Sequence, residues 1–136
     1  MANIREDKGY TYGIGSGVVS LKHAGYFFIS TEVGADVCTA ALKEIYRETD
    51  LLKTEKISAD ELGLVRNYML GSLLGSLENI FSHADKFKNL LFSGLDYTYY
   101  ERYIETVKTV DADTLLQIAN RYLTTDAFNE VVAGKV

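Results

Sequence analysis

The chain has 136 residues, 47% of them hydrophobic and 24% charged, which is enough for one compact domain with a buried core. Its net charge of −5 and its 14 scattered lysines and arginines exclude a phosphate backbone as partner, because counterion release requires clustered cations. The single cysteine, Cys38, excludes an internal disulfide and a cysteine zinc site, and no apolar run approaches the ~18 residues that span a bilayer.

The first residues carry Arg5, Glu6, Asp7 and Lys8 where a signal peptide has an apolar core, so the chain as given is expected to be soluble and without an export signal. Cytoplasmic and periplasmic locations both stay open. Proline is absent, against an average usage of roughly 5%, which suits long helices and strands with few rigid turns.

The stretch Arg5 to Tyr12 changes composition twice, from a charged cluster through Gly9 to an aromatic, strand-like run. It brings a cation and two phenols close together at a turn expected around Asp7 to Gly9. The composition of Tyr10–Ser20 and of Tyr26–Val33 predicts two strands, joined around Lys22, His23, Ala24 and Gly25. The nearly continuous apolarity of Tyr26 to Ile29 predicts a strand covered on both faces.

Past Gly34 the period changes from two to about 3.6. Val37, Ala41, Ile45 and Leu52 form one stripe, with Lys43, Glu44, Arg47 and Glu48 opposite, predicting an amphipathic helix over Ala35–Lys53 whose polar face meets solvent. Ser58-Ala59-Asp60-Glu61 reads as a capping box. The stripe Leu62, Val65, Met69, Leu73, Leu77, Ile80, Ala84, Phe87 and Leu91 then predicts one long helix, stopped at Gly94. Gly71 and Gly75 inside it each cost ~1 kcal/mol against alanine, so a close backbone approach or a bend is expected there.

Tyr97–Val107 reads as a further helix, and Asp111 caps another with Leu115, Ile118, Ala119 and Tyr122 on its stripe. The tail Asn129–Val136 reads as a closing strand. The order β, β, α, long α, α, α, β predicts an α+β fold: a mainly antiparallel sheet with helices, including one long helix, on one face. No internal repeat or interdomain linker divides residues 1–136, which are expected to form a single domain.

Most candidate sites dissolve under their chemistry. Gly13, Gly15 and Gly17 run on into Val18, Val19 and Leu21 rather than opening a helix, so they suit a twisted strand and not a nucleotide loop. His23, His83 and Cys38 fall in three different elements with no zinc-motif spacing, and no metal site is expected. Ser16 and Ser20 lack a nucleophile-elbow context. Glu44, Glu48 and Glu61 fall on polar helix faces or in a cap, where carboxylates are solvated and untuned. Tyr97, Tyr99, Tyr100 and Tyr103 form an aromatic patch suited to helix packing or a subunit contact. Arg5 and Tyr12 remain. They can be described as a surface arginine near a turn and a sheet-filling tyrosine, or as a site, and composition does not decide.

The run Arg5-Glu6-Asp7-Lys8-Gly9-Tyr10-Thr11-Tyr12 resembles the Arg-Glu-x-x-Gly-x-x-Tyr signature in the C-terminal half of M16 family zinc metallopeptidases, a group that includes insulin-degrading enzyme, pitrilysin and the mitochondrial processing peptidase. The strand pair, the helix after Gly34, the Ser58–Glu61 box, the helix start at Val110–Asp113 and the tail from Glu130 follow the family's order along essentially the whole chain. The resemblance implies a partial half-domain of the M16/LuxS-like metallohydrolase type. In that family two homologous α+β halves close like a clamshell, and the first carries an inverted His-x-x-Glu-His zinc motif. The second contributes an Arg/Tyr pair, which by motif match is Arg5, clamping the substrate backbone, and Tyr12, supporting the oxyanion; a phenol donor aimed at a developing oxyanion favours the transition state. Tyr10 ranks second as a substrate-binding residue and is expected to face the other way. Residues seven apart in a flat strand would point to opposite faces, and the turn at Asp7–Gly9 resolves this by folding Arg5 back beside Tyr12.

The zinc half and the earlier strands and helices of this half are missing from the sequence, which implies a piece of a longer protein. By resemblance its partners are a peptide substrate and an N-terminal zinc-binding half, on the same chain or a separate subunit. Zinc is expected in that half and not here, and this piece alone is expected to be inactive. The open sheet edge that such a piece leaves implies self-association into a homo-oligomer. The alternative implied by the same family is a structural or assembly subunit without catalysis, comparable to the core proteins of respiratory complex III.

Overall fold

A computed structural model describes residues 3–134. The elements are a π-helical turn at Asn3–Asp7, strands β1 (Ile14–Ser20) and β2 (Gly25–Thr31), a 3-10 turn at Ala35–Val37, and helices α1 (Cys38–Thr54), α2 (Ala59–Gly75), α3 (Ile80–Phe92), α4 (Thr98–Thr109) and α5 (Ala112–Tyr122). A second 3-10 turn follows at Thr125–Ala127. The fold is α+β, as the periodicities predict. The chain divides into two compact units, Met1–Glu55 with Ile118–Val136, and Lys56–Gln117.

In the first unit β1 and β2 pair antiparallel from Ile14 opposite Thr31 to Ser20 opposite Gly25. Partners in this register share a face, so Val19 and Tyr26, and Gly17 and Phe28, lie on one side, with Val18 and Phe27 on the other. A Cβ on Gly17 would stand 2.9 Å from the Phe28 ring, so the glycine leaves room for that ring to lie across β1. The expected double-sided cover of β2 does not form: Tyr26, Phe27 and Phe28 are 56%, 40% and 41% exposed. An apolar run specifies a strand that can be covered; what covers it lies outside the local sequence.

The core of this unit gathers around α1. Ala41 and Ile4 are 1% and 2% exposed, and the Asn3–Asp7 turn packs on the helix. The polar face of α1 does not simply meet solvent. The Asn3 side-chain amide donates to Glu44 at 2.8 Å and to Glu48 at 2.6 Å, and Lys8 Nζ lies 3.7 Å from Glu44. The Asn3 hydrogen bond, joined by Lys8 and Arg47, holds the Glu44 carboxyl below the usual carboxylate range. At the other end of α1, the Asn120 amide donates to the Lys53 carbonyl at 2.8 Å and satisfies one of the last-turn carbonyls. The Tyr46 hydroxyl donates to Glu130 at 2.6 Å and its ring meets Phe128 edge-on, which pins the tail to α1. Residues 129–134 nevertheless form no strand. The β-branched pair Val131-Val132 has the composition of a strand, but a ladder needs an aligned partner edge, and the described residues supply none to this segment. Lys135 and Val136, also included in the expected closing strand, lie outside the described residues.

In the second unit the Ser58 hydroxyl accepts from the Glu61 amide at 3.2 Å and starts α2 where the capping box predicts. The single long helix expected from Leu62 to Leu91 is two helices. After Gly75 the Ser76 hydroxyl turns back to the Leu73 carbonyl at 2.6 Å, and the Asn79 side chain accepts from the Phe81 amide at 2.8 Å, capping a new start. Of the predicted stripe, Leu62 and Leu73 of α2 are buried, whereas Ile80, Phe87 and Leu91 of α3 are exposed and α3 buries Leu90 instead. Arg66 of α2 forks onto the C-terminus of α4, donating from Nε to the Val107 carbonyl at 3.1 Å and from Nη2 to the Val110 carbonyl. A guanidinium there satisfies orphan carbonyls and complements the helix dipole. The tyrosine patch acts in helix packing, as its spacing suggests. Tyr97 stacks on Phe87 of α3 at 5.9 Å and its hydroxyl lies 3.1 Å from His83 Nε2.

Candidate functional site

Arg5, Tyr10 and Tyr12 line one recess of about 620 Å³ together with Gly9, Thr11, Glu32, Val33 and Gly34. Four local decisions build it. Ile4, buried at 2%, anchors the turn that carries Arg5. Gly9 then takes φ 65°, a left-handed conformation that costs a residue with a Cβ roughly 1–2 kcal/mol, and reverses the chain. Strand pairing begins only at Ile14, so Tyr10 to Gly13, which the sequence pattern assigns to the strand, instead form an irregular approach to β1. On the far side, Glu32 to Gly34 continue directly from the end of β2.

The turn expected at Asp7–Gly9 is therefore present, and it returns Arg5 to the same recess as Tyr12. Tyr10 also lines the recess with Tyr12. Because residues 10–13 lie outside the ladder, strict strand alternation does not govern them.

The Arg5 guanidinium pairs with Glu6 at 2.5 Å, with both side chains about half exposed. An exposed pair of this kind is worth at most ~1 kcal/mol, so it leaves the cation exchangeable onto another acceptor. Tyr12 is fully exposed at 103%, and its phenol projects into solvent. The recess is thus lined by residues that carry a cationic fork, two phenols that can donate or accept, and a carboxylate: Arg5, Tyr10, Tyr12 and Glu32.

Sequence reasoning missed Thr11. Set between the two tyrosines, it is 8% exposed, and its hydroxyl oxygen lies 2.7 Å from the Glu32 carbonyl, 2.8 Å from the Gly13 carbonyl and 2.9 Å from the Thr31 hydroxyl; it accepts from the Gly13 amide at 3.1 Å. The signal was local. A threonine two residues before a glycine can accept from that amide as an ST-turn, but the β-branched residue reads equally as strand.

His23, His83 and Cys38 stay in separate elements, and among the described residues no three His, Cys, Asp or Glu side chains converge on a common point. No helix is long and apolar enough to cross a membrane among the described residues.

Residues 1–69 match the family described as peptidase M16 inactive domain. Solved structures that share the fold include the following two. One is a peptidase M16 inactive domain from Pseudomonas fluorescens, 21% identical, with a TM-score of 0.81 over 93% of this chain and 30% of that one. The other is a protease from Helicobacter pylori, 20% identical, with a TM-score of 0.78 over 90% of this chain and 30% of that one. This chain therefore spans 30% of the length of each of these structures. No curated protein matches it. With the match covering half of the residues, the chain belongs to the peptidase M16 inactive domain family.

Proposed function

We propose that this chain supplies the substrate-gripping side of a peptidase whose zinc and attacking water belong to a companion half, on the same polypeptide or on a partner. The observation that carries the reading is the meeting of Arg5, Tyr10 and Tyr12 in one recess despite a reversal of the chain between them. Arg5 donates to a backbone carbonyl of an extended peptide, leaving its weak pairing with Glu6. Tyr12 donates to the carbonyl oxygen of the bond under attack as that oxygen becomes an oxyanion, a contact that is stronger in the transition state than in the ground state. Tyr10 adds a second phenol along the peptide.

The exposure of Tyr12 fits a residue that completes its work under a closing partner. A phenol donor in bulk water competes with solvent, whereas the same donor at a water-excluded interface stabilises charge far more effectively. The chain alone therefore binds peptide without hydrolysing it. The test is peptide cleavage by the complete protein carrying both halves. Arg5→Ala is expected to raise KM, and Tyr12→Phe to lower kcat with little change in KM. Unchanged kinetics in both variants overturn the reading and leave this domain an interaction module only.

A further inference from the structure

We propose that Thr11 is the positioning residue of the recess: its buried hydroxyl, backed by Thr31, fixes the Tyr10–Gly13 segment to the end of β2 and so sets where Tyr12 projects. This rests on the proposed role of the recess, but its geometry stands apart from that role.

Each threonine hydroxyl has one proton, and the distances select how the two are used. If Thr11 donates to the Glu32 carbonyl at 2.7 Å, it can still accept from the Gly13 amide at 3.1 Å, and Thr31 is free to donate to the Gly13 carbonyl at 3.0 Å. Both carbonyls and the amide then have partners. In the alternative, Thr11 donates to the Gly13 carbonyl at 2.8 Å and Thr31 to Thr11 at 2.9 Å, which deprives the Glu32 carbonyl of this donor. The first arrangement satisfies more groups and is the one we assign.

Its consequence is a cross-tie between two parts of the recess wall. Thr11 sits in the chain between Tyr10 and Tyr12, and Glu32, which follows β2, lines the same recess. The ladder begins only at the pair Ile14 and Thr31, so it does not hold residues 10–13; the Tyr10 amide donates to the Ile4 carbonyl at 3.0 Å, and the hydroxyl pair holds the residues that follow. A fully exposed Tyr12 has little packing of its own to fix its direction, and its aim is inherited from this backbone anchor.

Amide hydrogen exchange on the isotope-labelled chain, read beside binding of fluorescein-labelled casein as an unfolded polypeptide probe, tests the assignment. Thr11→Val keeps the shape and removes the hydroxyl. It is expected to speed exchange at Gly13 by about tenfold while the β1–β2 ladder amides keep their protection, and to weaken casein binding as strongly as Tyr12→Ala does. Thr11→Ser restores the hydroxyl and is expected to rescue both readouts, which separates anchoring from mere packing of the threonine methyl. Unchanged Gly13 protection in Thr11→Val overturns the proposal. So does casein binding that survives Thr11→Val but is lost in Tyr12→Ala. If Arg5→Ala and Tyr12→Ala both bind casein as the unaltered chain does, the reading of the recess fails, and Gly13 exchange alone then decides whether the anchor stands.

Discussion

Replacing Ile4 by alanine should loosen the whole recess from a residue that touches no substrate. Ile4 is 2% exposed and is the apolar anchor of the Asn3–Asp7 turn, whose remaining ties to α1 are the Asn3 amide on Glu44 and Glu48 and the longer Lys8–Glu44 pair. Truncating a fully buried isoleucine to alanine costs ~2–5 kcal/mol, and a turn lying on a helix can collapse part of the way into the space, which favours the lower end, ~2–3 kcal/mol. With a urea slope of ~1–3 kcal/mol per molar, the unfolding midpoint should fall by about 0.7–3 M. Ile4→Val removes one methylene and should cost only ~0.5–1.5 kcal/mol. Urea titration followed by far-ultraviolet circular dichroism reads both. Because Arg5 follows directly, Ile4→Ala should also reduce the Arg5-dependent part of peptide binding. A midpoint within about 0.3 M of the unaltered chain, or equal losses for valine and alanine, would refute the view that this burial holds the site in place.

Three further outcomes are expected. Gly9→Ala should cost roughly 1–2 kcal/mol through the left-handed backbone alone, since a Cβ there meets no atom within 4 Å, and Gly9→Asn should cost less; thermal melts of the two variants check the order. Glu44, Asp96 and Asp111 are all held below the usual carboxylate range, chiefly by the Asn3 amide, by Thr98 and by the Thr114 amide respectively, so their contribution is present above a pH of roughly 4 and is lost as pH falls through their lowered folded values. Asp111→Asn keeps a cap on the Thr114 amide without the titration and should flatten the acid limb of a stability-versus-pH curve; an unchanged slope would contradict the assignment. Finally, the exposed Val18, Tyr26, Phe27 and Phe28 on both faces of the strand pair should drive the isolated chain to self-associate. Light scattering should report oligomers that dissociate in Phe27→Ser with Phe28→Ser, and a strict monomer at high concentration would count against it.

What the sequence made legible was local. Ser58 and Asp111 announced two helix starts because a cap reaches only three residues, and the structure shows both, at 3.2 Å to the Glu61 amide and 2.8 Å to the Thr114 amide. The interruption between α2 and α3 was also encoded locally, in Asn79, yet the apolar stripe masked it because it runs unbroken across both helices. Strand pairing at the tail and cover over β2 were not legible, since both depend on partners far away in sequence or outside the chain. At the recess, residue identity gave Arg5 and Tyr12 no precedence over ordinary surface residues; the ordered motif did. The cross-tie that aims Tyr12 escaped notice because its proton assignments emerge only when Thr11, Thr31, Gly13 and Glu32 meet in space.

The proposed role of Tyr12 is tested most directly by comparing kcat for Tyr12→Phe and Tyr10→Phe in the complete two-half protein. Loss of an oxyanion donor should lower kcat about 10²–10³-fold in Tyr12→Phe with little change in KM, while Tyr10→Phe stays within a few-fold of the unaltered protein. Equal kcat in Tyr12→Phe and the unaltered protein would contradict the account.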